Sequence, residues 1–217
     1  MLSKFIVSFC AAALMSTSVA AQEQAAAAEP AEASVPAEEN MLILDLSTGG
    51  RVTIQLYPQM APNHVERVKR LTREGFYDGV IFHRVIEGFM AQTGDPTGTG
   101  TGGSELPDLK AEFHNFPHLR GVVSMARAET EDSANSQFFI VFYPRFALDK
   151  KYTVFGRVSG GMQYVDAINR GVPPSNPSRI LQASIAADGK APPAPRSTAP
   201  VLEQEISVDD LNAPINP

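Results

Sequence analysis

The sequence predicts a mainly β domain, a barrel or sandwich finished by helical caps. Three observations carry that prediction. Short β-branched and aromatic runs recur along the chain between breaks rich in Gly and Pro. Helical spacing of apolar residues shows in only two segments, 64–74 and 162–169. The 217 residues are enough for one domain with a sizeable core, and no internal repeat divides them.

Taken in order, runs 41–46 and 51–57 flank Ser47-Thr48-Gly49-Gly50, which is a hairpin signal. Pro58 and Pro62 punctuate the stretch after the second run. In 64–74, Val65, Val68 and Leu71 recur at helical spacing with charges between them, and Gly75 ends the helix. Residues 80–86, VIFHRVI, read as a buried strand. Gly88 permits a tight turn, and Phe89-Met90-Ala91 is a second short apolar piece. Residues 94–104 are rich in Gly and Thr and read as a loop. Segments 121–126, 137–143 and 152–158 are three more strand-like runs. Met162, Val165 and Ile168 mark one side of a second helix, and 179–187 reads as the last strand.

The two ends have a different composition. Lys4 supplies a positive start, 5–15 a short apolar run, and Ser18-Val19-Ala20 small residues at a cleavage position. Residues 1–20 therefore read as a signal peptide cut after Ala20 or Ala21, too short in its apolar part to span a membrane. The protein is expected to be exported, to the periplasm in a Gram-negative cell. Cys10 lies within the apolar run, so the mature chain has no cysteine and its core must hold the fold alone. Residues 21–40, made of Ala, Glu, Gln and Pro with few others, read as a disordered spacer. Residues 191–217 read as a Pro-rich tail, leaving 41–190 as the folded domain. The net charge of −6 comes without a basic block, which argues against nucleic acid as a partner.

Residues 82–95, FHRVIEGFMAQTGD, organise the chain. Arg84 and Gln92 sit inside an apolar frame, where an arginine either snorkels to water or has been placed for chemistry. Next to it, 98–103 reads Gly-Thr-Gly-Thr-Gly-Gly and fits G-x-G-x-x-G. A dinucleotide site needs a helix opening directly after that motif, and here Pro107 comes soon after without one. The better reading is a tight loop packed against the sheet. His114 and His118 are four apart, but Pro117 between them disfavours a metal-binding helix. The sequence suggests no serine–histidine–carboxylate set; Ser133 and Ser136 lie in a polar loop.

FHRV, GFMAQTGDPTGTGTGG, SMARA, SQFFI and LDKKYTVFGRV stand in the order seen in cyclophilins, the peptidyl-prolyl cis-trans isomerases. Over roughly residues 41–190 the chain resembles the small exported bacterial members. The resemblance implies a closed eight-stranded antiparallel barrel with a helix over each end, and a peptide groove on its outside. It implies Arg84 as donor to the twisting amide, with Gln92 and Gln137 as polar anchors. Phe89, Met90, Phe139 and Leu148 match the proline-pocket wall, with Phe82 counted among the substrate-binding residues. Ala126 and Arg127 match the segment that pairs with the substrate backbone.

Three positions depart from the eukaryotic pattern. Tyr152 replaces a histidine, Arg127 an asparagine, and Ala147 or its neighbour Phe146 a tryptophan. His83, next to Arg84, reads as structural. The resemblance implies no cofactor and no metal. The expected partners are proline-containing polypeptide clients, with no nucleic acid, no membrane insertion after cleavage and a monomeric state. The rival reading is a non-catalytic peptide-binding chaperone using the same groove.

Overall fold

The computed structural model describes residues 37–194. The expected signal peptide, spacer residues 21–36 and tail residues 195–217 lie outside the described residues. Eight strands and two helices succeed one another: β1 Met41–Leu46, β2 Gly50–Leu56, α1 Pro62–Arg73, β3 Arg84–Ile86, β4 Met90–Thr93, β5 Val122–Met125, β6 Phe138–Val141, β7 Val154–Gly160, α2 Met162–Asp166 and β8 Ile180–Ile185. One curled antiparallel sheet runs β3-β4-β6-β5-β7-β2-β1-β8. No helix of the described residues is long and apolar enough to cross a membrane.

The hairpin forms as its turn residues dictate, with Leu46 paired to Gly50. Gly50 is needed there because a Cβ would lie 2.1 Å from the Tyr164 ring of α2. Helix α1 starts with Pro at its first position, where the missing amide hydrogen is harmless. Its neighbour Ala61 provides no side-chain cap, so Glu112 reaches in from a distant loop. The Glu112 carboxylate accepts from the Asn63 and His64 amides at 3.2 and 3.1 Å, at the positive end of the helix. Gly75, at φ +73°, ends the helix as expected: its amide donates to Thr72, and the Phe76 amide donates to Leu71.

Both helices bury one side against the sheet interior. Val65, Val68 and Leu71 of α1, and Val165 of α2, join Leu42, Leu44, Ile54, Val85, Val123, Phe138, Ile140 and Phe155 in one apolar core. Tyr77 lies wholly inside it, its hydroxyl donating to the Ser136 carbonyl at 3.1 Å.

Three expectations are corrected. The barrel is not a closed ladder: β3 and β8 are the two ends of the sheet. The seam between them is held by the isolated bridges of Ile81 with Arg179 and Val85 with Gly171 and a few backbone bonds such as Phe82 to Ser178. Pro173, Pro174 and Pro177 lie between these contacts and have no amide hydrogen to extend the seam. Of the strand expected over 80–86, only Arg84–Ile86 forms. Residues 80–82 bond to 178–180, while only Arg84–Ile86 forms a ladder with β4, and Val85 also exchanges backbone bonds with Gly171.

The end of the expected spacer is also ordered. Ala37–Asn40 forms a 3₁₀ turn. Glu39 pairs with Arg73 at 2.9 Å, and Asn40 accepts from buried Lys69 at 2.8 Å. On the tail side, the Ala191 carbonyl still accepts from Gln182.

Candidate active site

Along a strand, successive side chains face opposite sides of the sheet. Strands β4, β5 and β6 are nevertheless buried on both faces apart from Gln92. The inward set belongs to the interior core. The outward set, Met90, Val122, Phe139 and Val141, forms a second apolar cluster with Val154. Loop residues Phe89, Phe116, Leu119, Leu148 and Tyr152 cover part of it. Where that cover stops, a cavity of about 110 Å³ opens, lined by Arg84, Phe89, Met90, Gln92, Ala126, Arg127, Phe139, Leu148 and Tyr152.

Nine of the eleven expected site residues meet in this one pocket. Gln137 does not line it, but its side chain bonds to Gln92 beside it. Phe82 is the exception. It is fully buried in the interior core, because residues 80–82 are bonded to the seam and turn its ring inward.

The pocket is apolar on one side and polar on the other. Arg84 and Gln92 are cross-strand partners, and Gln92 Oε1 accepts from the Arg84 guanidinium at 3.3 Å. Gln92 Nε2 donates to Gln137 Oε1 at 2.8 Å. Gln137 Nε2 donates to the Gly100 and Gly102 carbonyls at 3.0 and 2.8 Å. Gln92, Ala126 and Arg127 also line a second, larger cavity of about 480 Å³, bounded by the glycine loop and by Asp108.

On the apolar side, the Tyr152 ring stands edge-on to Phe139 with centroids 5.7 Å apart. Arg127 lies over Tyr152 at 4.9 Å and donates to the Lys151 carbonyl at 3.1 Å. Its side chain therefore folds back to support the tyrosine, and Phe146 stands exposed nearby in the sequence. Beneath Phe139 the His118 ring stacks at 6.4 Å.

Here the structure holds what the sequence did not suggest. Ser124 Oγ lies 2.8 Å from His118 Nε2, and His118 Nδ1 lies 2.8 Å from Asp149. This is a serine–histidine–carboxylate chain in hydrogen-bond order. Ser124 and His118 are both buried, so no substrate reaches the hydroxyl. The chain instead ties the strand under the pocket to the turn beside Leu148. Burial pushes the His118 pKa down, and Asp149 opposes that only in part.

The loop of the G-x-G-x-x-G match does not present its amides outward. Asp95 occupies them, accepting from the amides of Thr97, Gly100 and Gly102 at 2.8, 2.6 and 3.1 Å. Burial alone would raise this carboxyl, but hydrogen bonds from Thr97 and the two glycines hold it down at about 2. The site a phosphate would need is thus filled by the protein's own anion. His114 bonds to the Val154 carbonyl and His118 to Asp149, so the two rings have separate partners. His83 is buried, with neither ring nitrogen bonded, and burial lowers its pKa. Asp95 is the residue that sequence reading missed; Asp with Thr two positions later is a local turn signal that could have marked it.

The comparisons agree with this architecture. Residues 43–185 match the family model described as Cyclophilin type peptidyl-prolyl cis-trans isomerase/CLD. A probable peptidyl-prolyl cis-trans isomerase of Brucella suis is 45% identical over 196 residues, covering 83% of this chain and 95% of that protein. Peptidyl-prolyl cis-trans isomerase B of Bacillus subtilis is 44% identical over 58% of this chain and 88% of its own. Among solved structures, cyclophilin AquaCyp293 from Hirschia baltica superposes with a TM-score of 0.65 at 30% identity, covering 71% of this chain and 76% of that one. With most of the folded domain matched, and a relative this similar covered almost end to end, the chain belongs to the cyclophilin-type peptidyl-prolyl cis-trans isomerases.

Proposed function

We propose that the protein is an exported isomerase that rotates X–Pro bonds in extended or unfolded polypeptides and so assists their folding. The observation that carries this reading is one half-buried guanidinium, Arg84, at the polar side of an apolar pocket on the outer face of the sheet. The barrier to X–Pro rotation is amide resonance, roughly 18–20 kcal/mol. At the half-turned geometry the prolyl nitrogen regains its lone pair. A donor aimed at that geometry lowers the barrier without a nucleophile or a cofactor.

In this reading Phe89, Met90, Phe139, Leu148 and Tyr152 seat the prolyl ring. Gln92 and Gln137 keep Arg84 aimed, and the backbone at Ala126 and Arg127 pairs with the substrate. A protease-coupled assay on an X–Pro peptide tests it. Turnover that collapses in a folded Arg84→Ala variant supports the enzyme. Peptide binding without turnover in wild type would instead make the protein a chaperone.

The export part of the proposal rests on the signal-like composition of residues 1–20. N-terminal sequencing of the secreted or periplasmic fraction should find a start near Ala21 or Gln22. A retained signal would overturn it. The remaining expectation, that the protein acts as a monomer, is checked by its mass in solution.

A further inference from the structure

We infer that Asp95, whose side chain hydrogen-bonds none of the nine residues lining the pocket, is a positioning residue for Arg84. It acts by setting the direction of every hydrogen bond between them. The inference rests on the proposed role of Arg84. The chain of bonds begins at the buried Asp95 carboxylate, which takes the amide hydrogens of Gly100 and Gly102. The carbonyls of those same two residues both accept from Gln137.

A carbonyl can only accept, so the Gln137 side chain must turn its NH₂ toward the loop. Its oxygen is then left to accept from Gln92 Nε2. That in turn leaves the Gln92 oxygen facing Arg84. Each amide has two possible orientations, and the loop carbonyls select one of them twice in succession. A reversed Gln92 would turn its NH₂ toward the guanidinium, and a reversed Gln137 would set its NH₂ against that of Gln92 and its oxygen against the loop carbonyls. The loop has little freedom to do otherwise: a Cβ on Gly102 would lie 2.2 Å from Asp95 Oδ1. Hydrogen bonds from Thr97, Gly100 and Gly102 hold the pKa of the Asp95 carboxyl at about 2, so it carries its charge at neutral pH.

The test is a kinetic cycle with Asp95→Asn, Arg84→Ala and the double variant, on one short X–Pro peptide. An asparagine keeps the shape but puts an NH₂ against donors that Asp95 now satisfies. The expected result is a fall of about 10-fold in kcat with KM within about threefold, and no further fall when Asp95→Asn is added to Arg84→Ala. An unchanged kcat, or the same fall in the Arg84→Ala background, would overturn the inference.

A second readout does not depend on turnover. The Arg84 Nε–Hε NMR resonance should shift in Asp95→Asn, while those of Arg51 and Arg120, which pair with Asp45 and Asp166, stay in place. If wild type shows no isomerisation, the proposed function falls, and this resonance still decides the positioning claim. Should Asp95→Asn fail to fold, Thr97→Val with Thr99→Val removes two hydroxyl donors to the same carboxylate. That pair should lower kcat about threefold; no change would count against Asp95.

Discussion

Phe138 and Phe139 are neighbours on β6, similarly buried, and belong to different parts of the molecule. Phe138 enters the interior, packed edge-on against Tyr77 and Phe155. Phe139 faces outward, between Tyr152 and His118, at the floor of the open pocket. The interior cluster packs against both helices, through Val65, Val68 and Leu71 of α1 and Val165 of α2. The outer cluster is closed by loops, is underlain by a buried hydrogen-bond chain, and stops short of complete cover. Burial alone therefore does not tell core from site in this fold. What separates them is whether the covering layer is complete, and whether polar groups have been brought to its edge.

Paired substitutions break the comparison most directly. Phe138→Ala should lower stability by about 3–5 kcal/mol, read by denaturant unfolding, because the closed core has no way to refill the space. Phe139→Ala should lower it less, by about 1–3 kcal/mol, while raising KM for an X–Pro peptide by about 10-fold. Equal losses of stability with no change in KM would erase the distinction between the two clusters.

Arg84→Ala acts on the outer cluster alone. Its kcat/KM should fall by about 10²–10³ with circular dichroism unchanged. Arg84→Lys should recover little, since an ammonium cannot present the same planar fork. A folded Arg84→Ala variant within about threefold of wild type would rule out the donor mechanism.

Acid should loosen both regions together. Buried His64, His83 and His118 all have pKa values lowered by burial, below the unfolded value of 6.5. The unfolded chain therefore binds more protons as pH falls through that value. The stability contributed by the neutral rings is complete above about pH 7 and is lost progressively below it. The melting temperature should drop between about pH 7 and about pH 5, with a shallower slope in His83→Gln. A slope unchanged by that substitution would remove His83 from the account.

The smallest effect is expected at the N-terminal edge. A chain beginning at residue 41 should melt a few degrees below one beginning at residue 37. It loses the Asn40 acceptor of Lys69 and the partly exposed pairs of Glu39. Identical melting curves would return 37–40 to the spacer.

Much of the fold was legible because its signals are local. The hairpin at 47–50, the period of α1 and the glycine that ends it all depend on residues within a few positions of one another. Most of the site was legible through the order of its motifs. What escaped depends on distant partners. Phe82 was counted among the substrate-binding residues, as part of the FHRV motif. Its direction is decided by bonding to Ser178, far along the chain. The seam of the barrel, the Glu112 cap of α1 and the Ser124–His118–Asp149 chain have the same character.

By itself, then, the sequence determined the strand-rich class, the two helices, the hairpin, and the set of side chains able to build an apolar seat beside an arginine. The class, the helices and the hairpin rest on backbone propensity and periodicity, which act over short stretches of chain; the side chains of the seat were read from the resemblance of the ordered motifs to the family. Tertiary structure alone decided which face of β6 is floor and which is core, and that the sheet ends at β3 and β8. It also turned the glycine loop inward onto Asp95. These outcomes depend on which distant groups meet, and a buried donor or acceptor takes whatever partner the packed chain brings within reach.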